Sequence, residues 1–257
     1  MRRRRRKKAR RRLFEIFSGS GRLSDAVERL GWASTRWDIK VAAAHDLTRP
    51  SAVRRLLTAL PAASWVHLGT PCASFSIARR GRVGRPGGPL RSRRFPMGIP
   101  GLSEADQSRV DIGNKLLGVT LQVIRWCLRR GVPVSLENPR SSRLWQVPAV
   151  KRLVARGEAV RTDYCQFGTP WRKSTTFAFW NTTGPHKIEK ICTGRALCSR
   201  SHAKHVALSG NNPQGVPWTR VAEPYPRPLC RQLANAMNQS FDMAEYHGKY
   251  CSIAPER

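Results

Sequence analysis

Residues 64–76 read SWVHLGTPCASFS, and the fold turns on this stretch. Its apolar run, Trp65 to Leu68, predicts a short buried strand, which Gly69 breaks so that Pro71 and Cys72 fall at the carboxyl end. Open α/β sheets bind ligands at such ends, which makes the Cys72 thiol a candidate nucleophile. A lone cysteine is more often a small buried apolar residue. Two other stretches, FSGSG at 17–21 and LENP at 136–139, weigh against that blander alternative.

Upstream, Leu13 to Phe17 predicts a first strand with FSGSG directly after it, and Leu23, Ala26, Val27 and Leu30 then recur at the spacing of one helix face. Gly19 and Gly21 allow a tight turn and a close approach to a ligand, while the helix start offers unpaired N–H groups. A purely structural strand-to-helix turn would use the same residues. Asp38 closes a predicted second strand, where a carboxylate can accept ribose hydroxyls. Asp46 closes a predicted third, so the strand before Cys72 counts as the fourth. Both acids also fit caps, Asp46 standing ahead of Thr48, Pro50 and the helical SAVRRLLTAL.

Downstream, residues 79–101 contain seven arginines, six glycines and no acid, and predict a long mobile loop that contacts phosphates. Ser103 and Asp106 resemble a helix cap, and Val110, Leu117, Leu121, Ile124 and Leu128 carry a helical stripe to Arg130, ended by Gly131. VPVSL then predicts a buried strand terminating in Glu137, Asn138 and Pro139, a second polar strand end. VRTDYC and TTFAFW predict two more strands, joined by QFGTPWRKS with Gln166, Arg172 and Lys173 in the turn. Beyond 181 periodicity fades. Cys192, Cys198, His202 and His205 form C-x5-C-x3-H-x2-H, ligand types that suit zinc at spacings unlike those of common fingers. A last helix is expected over Pro228 to Asn238, with Leu229, Leu233 and Met237 on one face.

A chain of 257 residues that is 40% hydrophobic supports one principal domain. Its formal charge of +31 points to a polyanionic partner, nucleic acid first. Residues 2–12 hold ten of the basic residues, and the body is basic without them. No apolar run is long enough to span a membrane; the best, Leu116 to Leu128, is broken by Gln122 and Arg125. A soluble, intracellular monomer is expected, nuclear if the source is eukaryotic, with its seven cysteines in a reducing compartment.

FSGSG, TPC with SFS close behind it, LENP and QFGTPWRKS occur in the order of the conserved blocks of cytosine-C5 DNA methyltransferases, and together they resemble that family over about 13–180. YPRPLCRQLA adds an echo of the family's terminal block. The resemblance implies a Rossmann-like, doubly wound α/β fold with a short C-terminal recognition segment. It implies an S-adenosylmethionine pocket lined by Phe17, Ser18, Gly19, Gly21 and Pro71, with Asp38 on the ribose and Asp46 on the adenine. Cys72 becomes the nucleophile, Glu137 the acid that engages the base, and Arg172 and Lys173 the basic residues beside it. DNA is the implied substrate; RNA, or binding without catalysis, are the alternatives. The layout expected is a disordered arm over 1–12, a catalytic domain over 13–180, a recognition or zinc-like segment over 181–220, a closing helix over 221–245 and a tail. Here Glu-Asn-Pro replaces the family's Glu-Asn-Val, and only eight positions separate Asp38 from Asp46. Such departures describe a diverged, compact relative of a kind that a mobile element could carry.

Overall fold

The computed structural model describes residues 10–77, 81 and 87–250. Most of the basic arm, part of the 79–101 loop and the end of the tail lie outside the described residues.

Six strands, β1 Arg12–Ile16, β2 Ala33–Trp37, β3 Trp65–Leu68, β4 Val134–Pro139, β5 Glu158–Asp163 and β6 Ser174–Trp180, form one sheet in the order β2-β1-β3-β4-β6-β5. The first four are parallel, and β6 inserts antiparallel between β4 and β5. Parallel neighbours need long crossovers. These are supplied by α1 Arg22–Glu28, α2 Pro50–Ala59 and α3 Glu104–Arg129; α4 Pro148–Val154 leads into β5, and the short α5 Trp218–Val221 precedes the terminal α6 Arg227–Tyr250.

Strand alternation sends Phe14, Ile16, Val66, Leu68, Leu136 and Trp180 to one core with Leu56 of α2, Leu117 and Ile124 of α3 and Val150 of α4. Leu13, Trp65, Phe177 and Phe179 face the other way, onto Leu23 and Val27 of α1 and Leu229, Leu233 and Met237 of α6. Helices therefore cover both faces of a mixed α/β sheet, and the central strands β1, β3 and β4 are buried along most of their length for that reason, polar residues included. With β1 flanked by β2 on one side and β3 on the other, the connections diverge at the carboxyl ends of β1 and β3, the place where open α/β sheets bind ligands.

Several expectations are corrected. No strand precedes Asp46: Ala43–His45 is a single 3-10 turn, and Asp46 Oδ1 accepts from the Thr48 N–H (3.0 Å) and hydroxyl (2.6 Å), turning the chain straight into α2 at Pro50. The strand before Cys72 is thus the third. Leu30 lies beyond α1 and is 42% exposed, because the helix ends at Glu28. The arm gives up its last residues to the fold: Arg12 opens β1, and the Arg11 guanidinium lies over the Phe241 ring (5.0 Å) while bonding Asn238 and Asp242 of α6. The closing helix starts at Arg227 and runs to Tyr250, past the expected boundary at 245.

Within the 79–101 loop one arginine turns inward, while Arg93 and Arg94 stay exposed. Arg91 is 3% exposed; it donates to Ser74 O, Ser74 Oγ, Pro96 O, Asn114 Oδ1 and Val110 O, and stacks on Phe75 at 3.7 Å. Shared among so many oxygens and one ring face, the guanidinium is tolerable inside the core and pins the segment after Cys72 to α3. The Ser103 cap is as expected, accepting from the Asp106 N–H, and Gly131 ends α3 with φ 64°.

Candidate functional site

At the carboxyl end of β1 three residues take left-handed backbone: Phe17 (φ 57°), Gly19 (φ 52°) and Gly21 (φ 66°). Phe17 is not a glycine, and its strained conformation is held by its N–H on Trp37 O at 2.8 Å. Asp38, just after β2, accepts from the Gly19 N–H (2.9 Å) and the Lys40 N–H (2.8 Å), so the acid and the Gly-rich turn form one unit. Ser18 is buried, and its Oγ has no hydrogen-bond partner among the described residues. A Cβ at Gly19 would meet nothing within 4 Å. This corner combines a carboxylate, an orphaned hydroxyl and free space over a glycine, with Ile39 exposed beside it. Asp46 stands apart in its role: Thr48 takes Oδ1, Arg49 pairs with Oδ2, and the Thr48 bonds hold its carboxyl below the ordinary range. Pro71 is exposed.

Cys72 follows β3 and caps a short 3-10 turn over Ala73–Phe75. Its thiol is pushed up by burial and by the charge of Glu137, against the pull of the Lys173 ammonium. Glu137 lies inside β4, opposite Phe177 of β6, and is buried. Burial raises its carboxyl, again opposed by Lys173 and by a hydrogen bond from Tyr225. Cys72, Glu137 and Lys173 are thus within electrostatic reach of one another. Beside Glu137, the Asn138 amide donates to Thr70 O at 2.7 Å, tying β4 to the Gly69–Cys72 turn.

A hydrogen-bonded chain runs beneath this group. Tyr225 donates its hydroxyl proton to Glu137 Oε2 (3.0 Å), so His67 Nε2, 3.1 Å from the same oxygen, must be the donor to it. That fixes Nδ1 as an acceptor, and the Ser135 hydroxyl, 2.8 Å away, donates to it while accepting from Trp65 Nε1 (3.1 Å). Burial lowers His67 to about 3, so the ring is neutral and the order of the chain does not change near neutral pH. With Oε2 occupied, the other carboxyl oxygen is the exceptional one. Glu137 Oε1 is buried and has no partner among the described residues, as is Asn138 Oδ1. Native interiors rarely leave such atoms unpaired away from a ligand site.

Tyr225 is the residue that sequence reasoning missed. It belongs to the strap Ala222–Pro226 that leads into α6 and crosses the strand ends: Lys173 Nζ donates to Ala222 O (3.1 Å), Lys40 pairs with Glu223 (3.3 Å) and Arg22 donates to Tyr225 O (2.9 Å). The turn-forming prolines of AEPYPRP were the available signal; their position over the site was not.

The two basic residues of the QFGTPWRKS turn part company. The Lys173 charge acts on Glu137 and Cys72 from an ammonium bonded to Ala222 O, whereas Arg172 Nε is held by Asp163 Oδ2 at 3.0 Å. An open cavity of about 500 Å³ lies beside them, lined by Pro139, Arg140, Ser141, Arg172, Lys173, Ser174 and Leu208. Asp163 Oδ2 also accepts the Cys192 N–H at 2.8 Å, leading to a second cluster. There the expected zinc set is corrected: Cys165, Cys192, Cys198 and His205 bring their ligand atoms within 4.8 Å of one another, while His202 is exposed and outside the group. Backbone N–H from Ser201 pulls the Cys198 thiol down to about 5, whereas burial pushes Cys165 up to about 12.

No family model and no curated protein matches the chain. Among solved structures it is similar to a methyltransferase of Entamoeba histolytica, at 11% sequence identity and a TM-score of 0.40 over 80% of this chain. The chain spans 64% of the length of that structure.

Proposed function

We propose that the protein is a Rossmann-like, S-adenosylmethionine-dependent methyltransferase that modifies C5 of cytosine in DNA, with Cys72 as the nucleophile. One observation carries this reading: a thiol, an ammonium and a buried carboxyl with one free oxygen share a strand-end site, next to a separate corner suited to a nucleoside cofactor. The order of the sequence blocks supports it independently.

The cofactor corner passes a simple test of fit. The orphaned Ser18 Oγ, the open space over Gly19 and the Asp38 carboxylate are what a polar, hydroxyl-bearing ligand would engage. When bound there, S-adenosylmethionine supplies an electrophilic methyl group. Cytosine C5 is too weak a nucleophile to take it unaided. Cys72 Sγ adds to C6 as thiolate, and Glu137 donates a hydrogen bond or proton to N3 as charge moves into the ring. Bonding of C5 to the methyl carbon would break the sulfonium S–CH3 bond and leave the neutral thioether; loss of the C5 proton to water would then re-form the ring double bond, expel Cys72 as thiolate and return the N3 proton to Glu137.

The hydrogen-bonded chain explains how Glu137 can serve as an acid. Because Tyr225 fills Oε2, the acidic proton belongs on Oε1, the oxygen without a partner. Protonating Glu137 also removes the negative charge that pushes the Cys72 thiol up, so the acid and the nucleophile are readied together. Lys173 screens both and is the better candidate than Arg172 for contact with the base. The ring must leave the duplex stack for Cys72 to reach it. Arg140, Arg172 and the 500 Å³ cavity then offer a basic surface for the displaced strand, with residues 181–220 as the recognition segment.

A duplex carrying 5-fluorocytosine tests this directly. The fluorine cannot leave as the proton does, so a covalent adduct should accumulate, require S-adenosylmethionine and map to Cys72. No adduct, or one mapped to another cysteine, would exclude the mechanism. Competition with a matched RNA hairpin would identify RNA as the substrate if it suppressed the adduct at lower concentration.

A further inference from the structure

We propose that Cys165, Cys192, Cys198 and His205 bind one zinc ion in a closed structural site, which staples the 192–206 segment to the turn carrying Arg172 and Lys173. From residue 189 to 216 the buried residues are Cys192 and Cys198 alone, and the apolar cluster they join contains just these two and Cys165. Three thiols with no aliphatic or aromatic neighbour in the cluster are a poor hydrophobic core, so burial of carbon does not hold this loop together.

The same atoms make a good metal site. Tetrahedral zinc, with Zn–S of about 2.3 Å and Zn–N of about 2.0–2.1 Å, places its ligand atoms roughly 3.5–3.8 Å apart. Cys192 Sγ and His205 Nε2 are already at 3.8 Å, and the whole set falls within 4.8 Å. Three thiolates and an imidazole suit zinc over the hard cations that prefer oxygen. Four protein ligands, three of them buried, leave no open position for water, which is the structural type of site and not the catalytic one.

The surroundings are built for sulfur ligands. The Cys192–Cys198 loop is wound so tightly that a Cβ on Gly194 would lie 1.8 Å from Leu197 O. That winding aims the Ser199 N–H (3.4 Å) and hydroxyl (3.5 Å) at Cys192 Sγ, while the Gln166 amide reaches Cys165 Sγ (3.6 Å) and Cys198 Sγ (3.8 Å). Such donors orient and stabilise metal-bound thiolates. The staple has a mechanical sense as well. Cys165 comes from the turn after β5, its three partners from the later segment, and Asp163 and Pro170 bind the two sides again through the Cys192 N–H and the Val206 N–H (2.8 Å each).

The proposal stands apart from the methyl-transfer reading, and its test uses metal alone. Full-length protein purified under reducing conditions from zinc-supplemented cells, without chelator, should carry about one equivalent of zinc. Cobalt exchanged into it should give the visible bands of a tetrahedral three-thiolate, one-imidazole centre. His205→Cys should keep the metal and shift those bands toward a four-thiolate spectrum, whereas His202→Cys should change neither. Cys165→Ala should lower zinc occupancy at least fivefold, and X-ray absorption on the wild type covers the case in which that variant fails to fold. Less than a tenth of an equivalent of zinc, a disulfide among the three cysteines, iron or copper in its place, or a cobalt spectrum that responds to His202 would each overturn the assignment.

Discussion

Two cysteine regions lie at strand ends of the same sheet and could hardly differ more. Cys72, after β3, has as its electrostatic neighbours a carboxyl and an ammonium; its thiol is pushed up by burial and Glu137 and checked by Lys173. Cys165, after β5, has as its neighbours two more thiols and an imidazole. The first set can move a proton and form a bond to carbon; the second can close around an ion. Residue type is the same in both. What a cysteine does is decided by which charges and donors converge on it, and a chain can hold a reactive and a structural sulfur site a few elements apart.

The sharpest way to break this contrast is to exchange the reactive sulfur. Cys72→Ser should lower methyl transfer to cytosine by on the order of a thousandfold or more, since an alcohol is far less ionised than a thiol, and should abolish the 5-fluorocytosine adduct. Its zinc content and thermal midpoint should stay close to wild type. Loss of zinc alongside activity would mean that the two regions are not separate.

A smaller effect is expected at Tyr225, which serves the first region from a distance. Tyr225→Phe removes the donor to Glu137 and the acceptor of the His67 N–H, and should slow transfer by roughly ten- to a hundredfold at a stability cost of about 1–3 kcal/mol. Tyr225 holds the Glu137 carboxyl down, so its loss raises that carboxyl further. If Glu137 acts as an acid, the alkaline limb of the rate profile should move to higher pH in the variant. A limb that stays put would assign the tyrosine a packing role alone.

Metal removal should disturb the second region first. Chelation should speed amide exchange across 192–206 and lower transfer by only a few-fold, through looser placement of Lys173, while the amides of β1 and β3 stay protected. Equal loss of protection throughout would show that the cluster supports the whole fold.

The smallest effect on transfer belongs to Glu15, a buried carboxyl outside both regions. Both its contacts come from Ser24, whose N–H (2.9 Å) and hydroxyl (2.5 Å) bond Oε2, and burial raises it from 4.5 to about 7. The folded state therefore holds this proton more tightly than the unfolded one. Its contribution to stability is whole below about pH 4.5 and is lost as pH rises to about 7, on the order of 3 kcal/mol. Glu15→Gln should flatten that decline in a series of melting curves and leave transfer at pH 6 unchanged. An unaltered slope would locate the proton elsewhere.

What the sequence determined by itself was the local grammar. A short apolar run ended by Gly69, a Gly-rich turn between strand and helix, and the stripe of α3 from Val110 with its Ser103 cap all depend on contacts within a few residues, so strand ends bearing Cys72 and Asp38 were legible. The strand expected before Asp46 failed for a local reason too: an Asx turn competes well with extended backbone in so short a connection. The tertiary structure decided everything that required convergence. His202 was the nearer match by spacing, but Cys165, 27 positions before Cys192, reaches the cluster because β6 folds back between β4 and β5 and carries the intervening turn with it. Tyr225 bonds Glu137 across 88 positions, and Arg91 turns from a basic loop into the core because oxygens of the Ser74 turn and of α3 await it. Periodicity reports which face of an element is buried; which side chains meet across that face depends on strand register and helix docking, and those are set by the whole chain at once.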